Sequence, residues 1–208
     1  MVRTLPSHLV VLGHPGAESF SAALAAAYVN EARSLHHQAE LRDLYALGFD
    51  PLLKESERLA DGADVASSDV AAEVDLLRNC DVLTFVYPLW FGMPPAIIKG
   101  YIDRVLGAGF RIDDLMKPAE GVLRGKRLAV ITSSGSRIAW LEEHGMWVSL
   151  RQSFDEYLKT IFGFAACDHY HADSIGDGLT DAGAKRVLFE VGQFARSVCA
   201  CASLPQSA

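Results

Sequence analysis

Residues 81–105 constrain the fold more than any other stretch, because they read as a strand, a sharp loop and a proline-started helix with no residue to spare. Val82 to Tyr87 are apolar or β-branched with almost no polar interruption, which predicts a strand covered on both faces in a parallel sheet. Such a strand is central, so the remainder of the chain has to supply its neighbours. Pro88 lacks an N–H and ends the ladder, and Pro94 or Pro95 fits the first helical turn, where an N–H would have no partner. Between them lie Leu89, Trp90, Phe91, Gly92 and Met93. A solvated connector is polar, and a loop this rich in large apolar side chains predicts contact with something flat and apolar.

The neighbours follow the same alternation. Residues 8–14 form a short apolar run that ends at Pro15-Gly16, and Ser19 is placed to cap a helix carrying Phe20, Ala23, Leu24, Ala27 and Tyr28. Residues 40–45 read as a less apolar strand, expected at an edge of the sheet. A polar region, 54–68, leads to a helix with Val70, Val74 and Leu77 on one face. After residue 95, Ile98, Ile102 and Val105 form the stripe of a helix expected to stop at Gly107-Ala108-Gly109. Residues 110–127 make a connector long enough to serve as a flap. A strand at 127–132 then runs into Ser133-Ser134-Gly135-Ser136, a helix carries Leu150, Phe154, Leu158 and Ile161, and 164–170 read as a fifth strand. Thr180-Asp181-Ala182-Gly183 opens a last helix, with a frayed tail expected from Ala202 to Ala208. Five strands alternating with helices predict a doubly wound α/β fold, a parallel sheet with helices on both faces, formed by residues 1–208 as a single domain.

Composition excludes several functions. A formal net charge of −7 gives no basic face for a nucleic-acid backbone. Half of the residues are hydrophobic, yet no apolar run approaches the roughly 20 residues of a membrane helix, so no membrane insertion is expected. The start of the chain is too short and too weakly apolar for a signal peptide, which makes cytoplasmic the expected location. Four sparse cysteines predict reduced thiols. Neither His169-x-His171 nor Cys199-x-Cys201 has a standard zinc spacing, so no metal is expected.

In an open parallel sheet, ligands bind beyond the carboxyl ends of the strands, where the winding direction switches. Three loops meet there. The first, around Ser19, leads into a helix N-terminus, the usual way to hold a phosphate when net charge is negative. It has neither the Walker lysine nor G-x-G-x-x-G, and the hydroxyls of Ser19 and Ser21 either fit a phosphate monoester or simply cap the helix. The second loop is aromatic and the third, after Thr132, is small and backbone-rich. A phosphate cradle, an apolar wall and backbone donors at one edge match flavin mononucleotide, or the flavin half of FAD. Trp90 and Phe91 could flank a ring face while N–H groups near Trp90, Phe91, Ser134 and Gly135 meet its rim.

Several motifs carry a family resemblance. They are Gly13-His14-Pro15 with Ser19-Phe20-Ser21, Asp43-Leu44-Tyr45 with Phe49-Asp50-Pro51, and Tyr87-Pro88-Leu89-Trp90-Phe91-Gly92-Met93-Pro94-Pro95 through Asp103-Arg104-Val105. On these the chain resembles the flavodoxin-like NAD(P)H:quinone oxidoreductases of the small bacterial type. The resemblance implies a flavodoxin-like sheet of order 2-1-3-4-5, a homodimer with the site at the subunit interface, and ping-pong hydride transfer from NADH or NADPH through the flavin to a quinone. It implies that His14, Ser19, Phe20 and Ser21 hold the phosphate and ribityl chain, and that Pro88, Leu89, Trp90, Phe91, Ser133, Ser134 and Gly135 hold the ring. His144-Gly145 matches a histidine-glycine pair whose histidine settles charge on the reduced flavin or quinone, so His144 is the catalytic candidate. The tyrosine usual six residues earlier is Ile138 here. The aromatic loop is one residue shorter than in the larger mammalian-type enzymes and their C-terminal extension is absent, which favours FMN over FAD. Two other roles occur on this fold, a flavin-binding ancillary subunit of potassium-efflux systems and a flavodoxin-like electron carrier.

Overall fold

Two-sided burial of the central strands dictates a three-layer arrangement. In the computed structural model, which describes residues 5–57, 67–108 and 122–203, the strands are β1 (Ser7–Leu12), β2 (Gln38–Asp43), β3 (Val82–Pro88), β4 (Arg127–Ser133) and β5 (Ala166–Ala172). All pairings are parallel and the order is β2-β1-β3-β4-β5, as the family resemblance implied. Every residue of β3 is buried. Leu9, Val11, Phe85, Tyr87, Leu128 and Val130 point to one face, whereas Val10, Leu12, Val86, Ala129 and Ile131 point to the other. Each face therefore needs its own helical cover.

On the second face lie α1 (Phe20–Ser34) and the long α7 (Asp181–Ala202), which bring Leu24, Tyr28, Val187, Val191 and Ala195 onto the sheet. The first face is covered by α2 (Ser68–Asn79), by α3 (Ala96–Tyr101) with its π-helical continuation Ile102–Leu106, and by the helical run after β4. That run comprises α4 (Ile138–Glu143), α5 (Met146–Leu150), a π-helical stretch (Arg151–Glu156) and α6 (Tyr157–Phe162). Glu55–Glu57 form a 3₁₀ turn. Two glycines set how closely α3 can approach. A Cβ on Gly100 would lie 2.3 Å from the Pro51 carbonyl oxygen, and one on Gly13 would lie 2.5 Å from Ile98 Cγ1, so both positions exclude a side chain.

Several boundaries differ from the sequence reading for local reasons. Pro95 stands at the N-cap with ψ 150°, not inside the first turn, and its carbonyl accepts from the N–H groups of Ile98 and Lys99. Helix α4 was not expected; it closes on Gly145, whose φ of 67° only glycine adopts without strain. β5 begins and ends two residues later than the apolar pattern suggested, and β2 lies two residues earlier, at the predicted edge. Gly107 caps the π-helical stretch, whereas Gly109, residues 110–121 of the expected flap and residues 204–208 of the tail lie outside the described residues. All four cysteines are free thiols, and among the described residues no helix is long and apolar enough to cross a membrane.

Candidate active site

Strand register brings the three candidate loops to one edge and stitches them together. Leu12 pairs with Val86, Val86 with Ile131, and Ser133 with Ala172. Beyond these pairs Gly13 N–H donates to Val86 O at 3.0 Å, Leu89 N–H to Ser133 O at 2.8 Å and Ser134 N–H to Ala172 O at 3.0 Å. The winding switches between β1 and β3, because α1 and α3 leave these adjacent strands on opposite faces.

The first loop is pre-formed. Gly16 N–H donates to His14 Nδ1 at 2.9 Å, Ser19 N–H donates to Gly16 O, and Ser19 Oγ accepts from Ala22 N–H at 3.2 Å. Ser19 is thus the N-cap of α1, with its own hydroxyl proton left to donate, while the N–H groups of Phe20 and Ser21 stand at the open helix end. Ser21 itself is buried, and His14, Ser19 and Phe20 are half-buried.

The aromatic loop is a tight hairpin. Trp90 and Met93 exchange two backbone hydrogen bonds, 3.0 and 3.1 Å, across Phe91 (φ 53°) and Gly92 (φ 76°), so both central residues are left-handed. For a phenylalanine that conformation is strained by about 1–3 kcal/mol, and it holds the ring fully in solvent. Trp90 is 41% exposed and meets the His14 imidazole edge-on, with centroids 5.7 Å apart. One indole therefore joins the first loop to the aromatic loop. Pro88 is buried within β3 and Leu89 is half-buried.

The third loop supplies fewer donors than its sequence suggests. Ser133 is buried, and the N–H groups of Leu89, Trp90 and Ser134 are all engaged within the protein. Of the four rim donors anticipated, those of Phe91 and Gly135 are the ones without a partner among the described residues. His144 is exposed at the C-cap of α4. Its Nδ1 lies 2.8 Å from Trp140 O and its ring stacks on Trp140 at 4.5 Å, so Nδ1–H donates to the carbonyl and Nε2 faces outward.

Beneath this loop lies a polar chain that the sequence reading passed over. Ser134 Oγ contacts His171 Nε2 at 3.1 Å, and His171 Nδ1 contacts Thr132 Oγ1 at 2.7 Å. Thr132 Oγ1 contacts His169 Nε2 at 2.8 Å, and His169 Nδ1 lies 2.7 Å from Asp155 Oδ2. The Asp155 and His169 side chains are fully buried. Trp147 covers both imidazoles, with centroids at 4.9 and 5.1 Å. Burial, reinforced by His169, lowers the His171 pKa to about 4.

A second histidine cluster occupies the opposite edge. His8 Nε2, His37 Nδ1 and Cys199 Sγ all lie within 4.8 Å of one another. Both ring nitrogens of each histidine already have partners: His8 Nδ1 meets Tyr28 Oη at 2.9 Å, His8 Nε2 meets His37 Nδ1 at 3.0 Å, and His37 Nε2 meets Ser203 Oγ at 3.3 Å. The cluster ties α7 to the start of β1. Burial, reinforced by His37, lowers the His8 pKa to about 3.

Known proteins place this geometry in context. The family model Flavodoxin_2, a flavodoxin-like fold, matches residues 6–182. The chain is 29% identical over 187 residues to an uncharacterized NAD(P)H oxidoreductase of Haemophilus influenzae, covering 89% of this chain and 91% of that one. It is 28% identical over 156 residues to FMN-dependent NADH:quinone oxidoreductase 1 of Xanthomonas axonopodis pv. citri, covering 74% and 75%. It also matches rat NAD(P)H dehydrogenase (quinone) 1 at 35% over 147 residues, 62% of this chain but only 53% of that one, so the chain spans about half the length of that relative. Among solved structures, an NAD(P)H:quinone oxidoreductase from Methanothermobacter marburgensis superposes with a TM-score of 0.79 at 23% identity, over 94% of this chain and 100% of that one.

Proposed function

We propose that this chain, which belongs to the Flavodoxin_2 family of flavodoxin-like proteins, is an FMN-dependent NAD(P)H oxidoreductase that reduces a quinone or a similar two-electron acceptor. The observation that carries the reading is the convergence of an open helix end, an exposed aromatic wall and unpartnered backbone donors on one edge of the sheet. The FMN-dependent Xanthomonas relative, which matches three quarters of the chain, supports FMN as the flavin.

The residues present fit that cofactor. Phe20 and Ser21 N–H, with the Ser19 hydroxyl, would hold the phosphate beside the positive end of the α1 dipole. Trp90 and Phe91 would cover the ring, and Phe91 and Gly135 N–H would meet its polar rim. When bound, the flavin supplies a site that accepts a hydride from NAD(P)H and passes it on; the protein's part is binding, orientation and exclusion of water. One pocket serving donor and acceptor in turn implies ping-pong kinetics. Large apolar side chains are exposed in the loops after β2 (Tyr45, Leu47, Leu52) and β3 (Trp90, Met93) and on the short helices α4 and α5 after β4 (Trp140, Met146). All leave the same sheet edge, and a second copy of the chain covering them would make a homodimer with the site at its interface.

Purified protein is expected to be yellow, or to take up added FMN, and to bleach on addition of NADH or NADPH under nitrogen. A colourless protein that takes up no FMN sinks the proposal, and flavin that neither nucleotide bleaches leaves a carrier or ancillary subunit. His144 would present Nε2 to the acceptor. His144→Ala is expected to lower quinone turnover about tenfold with FMN affinity unchanged, short of the roughly 10²–10⁴-fold loss of a full general acid–base group, since its Nδ1–H is fixed on Trp140. Steady-state kinetics beside an FMN titration distinguishes the two effects, and unaltered turnover removes His144 from the site.

A further inference from the structure

The acceptor half of this reaction needs one proton beyond the hydride. Reducing a quinone to a hydroquinone takes two electrons and two protons, and a hydride brings both electrons with only one of the protons. A neutral His144 has its single N–H on the Trp140 carbonyl, and Ile138 offers no hydroxyl. The chain of side chains beneath the loop after β4 can supply what is missing.

Its direction is fixed from the loop inward. The Ser134 hydroxyl proton goes to Ser136 O at 3.1 Å, since a carbonyl cannot donate, so Ser134 Oγ accepts from His171 Nε2–H. A neutral His171 then has a bare Nδ1, which accepts from the Thr132 hydroxyl. The Thr132 oxygen accepts in turn from His169 Nε2–H. There remains His169 Nδ1, 2.7 Å from Asp155 Oδ2, a separation that requires a proton between them. The Asp155–His169 pair thus holds one proton more than a carboxylate and a neutral imidazole.

The surroundings isolate that pair. Arg151 Nε lies 2.7 Å from the same carboxylate oxygen, while Asp155 Oδ1 and the Tyr87 hydroxyl have no hydrogen-bond partner among the described residues. Burial, with Asp155 adding to it, raises the Tyr87 pKa well above its ordinary value and that of Cys167 to about 12, so neither neighbour competes as a proton donor. Asp168 and Glu156 are the further charges near Cys167, and Asp173 the one near His171. Asp155 projects from the π-helical stretch Arg151–Glu156, and an extra residue in a helical turn of this kind recurs at functional sites.

We propose that Asp155, His169, Thr132 and His171 form a buried relay that delivers a proton through Ser134 to the electron acceptor, a role that rests on the flavin reading above. In the step, the Ser134 O–H swings from Ser136 O and breaks toward the acceptor oxygen as the hydride arrives. Ser134 Oγ takes the Nε2 proton of His171, His171 Nδ1 takes the Thr132 proton, and Thr132 takes the Nε2 proton of His169. The pair is left one proton short and reloads from solvent, so NAD(P)H, one proton and quinone give NAD(P)⁺ and hydroquinone. Ser134 touches the acceptor, whereas the four residues behind it act through it.

Thr132→Val keeps the shape of the buried side chain and removes its hydroxyl; Thr132→Ser restores the hydroxyl. In FMN-loaded protein, reoxidation by quinone is expected to be about 10²-fold slower in Thr132→Val, with FMN affinity and the rate of bleaching by NAD(P)H unchanged, and near wild type in Thr132→Ser. If Thr132→Val does not fold, Ser134→Ala cuts the last link at a half-buried position and is expected to slow reoxidation to the same extent. Independently of turnover, nitrogen-proton NMR of the flavin-free protein is expected to show His171 protonated on Nε2 and a proton on His169 Nδ1 that Asp155→Asn alters. Failure of the wild-type protein to take up FMN overturns the flavin reading and the relay's role together. Normal FMN uptake and bleaching with unslowed reoxidation in Thr132→Val or Ser134→Ala, or His171 protonated on Nδ1, overturns the relay alone.

Discussion

Replacing Arg104 by leucine is expected to lower folding stability by about 3–5 kcal/mol, the range for breaking a buried ion pair by removing one partner. Its guanidinium is fully buried on the π-helical continuation of α3. Nε and Nη2 grip the two oxygens of Glu57 at 2.8 and 2.7 Å, Nη1 reaches Asp69 Oδ2 at 2.9 Å and the Asp50 carbonyl, and Nη2 also donates to Ser67 Oγ. The cation lies 5.2 Å from the centre of the Phe49 ring. Without it, the Glu57 carboxylate, itself 4% exposed, faces the interior with no cation. Lysine cannot reproduce the planar fork, so Arg104→Lys should recover only part of the loss. Urea unfolding at neutral pH measures this, and a loss below about 1 kcal/mol would reduce the network to surface-type pairs.

The same network makes the fold acid-sensitive, with a sign that can be worked out group by group. Arg104 lowers the Glu57 pKa, and Ser67 with Arg104 that of Asp69, each to about 2, below their ordinary 4.5 and 3.8. Their contribution is present above the unfolded values and is lost as pH falls toward 2. His8 and His171, lowered to about 3 and about 4 from 6.5, act in the same direction, because the unfolded chain binds their protons first. Stability should therefore decline steadily from about pH 6.5 downward, and the part below about pH 4.5 should be blunted in Arg104→Leu.

Trp90→Ala is expected to weaken FMN binding by about 2 kcal/mol, roughly 30-fold, on the scale of a single aromatic stacking partner. At 41% exposure the indole contributes little to the free fold, so the loss falls on the ligand. Its edge-on contact with His14 means that alanine also loosens the phosphate loop from the wall. Titrating flavin-free protein with FMN and following fluorescence quenching decides the matter. Wild-type affinity in this variant would detach the loop from the cofactor site.

The sheet was legible where burial is two-sided or a cap has its own chemistry. The unbroken apolar run of β3, the Ser19 cap and the helix start at Thr180 were read directly, and the structure places both hydroxyls on the third residue beyond, Ala22 and Gly183. The relay was not legible, because His169-x-His171 reads only as a metal spacing and His171 falls beyond the expected end of the fifth strand, while Arg151 and Asp155 have the spacing of a solvated helical pair. Only the packing of the π-helical stretch against β5 reveals that Asp155 is buried. Arg104 was hidden likewise, since its partners Glu57 and Asp69 lie at the two ends of a stretch that reads as a polar connector. Free N–H groups were overestimated at Trp90 and Ser134 because a sequence does not show which turn bonds a loop closes on itself.

The Trp90–Met93 hairpin hangs from the sheet through Leu89, closes on two backbone bonds of its own, touches His14 through Trp90 and leaves three of its side chains exposed. Opening it therefore breaks a few local bonds and relieves the left-handed Phe91, without disturbing β3. Hairpin and sheet are thus expected to open as separate units, so that under the flavin reading the cofactor's residence time would follow the fluctuation of a four-residue turn rather than global unfolding.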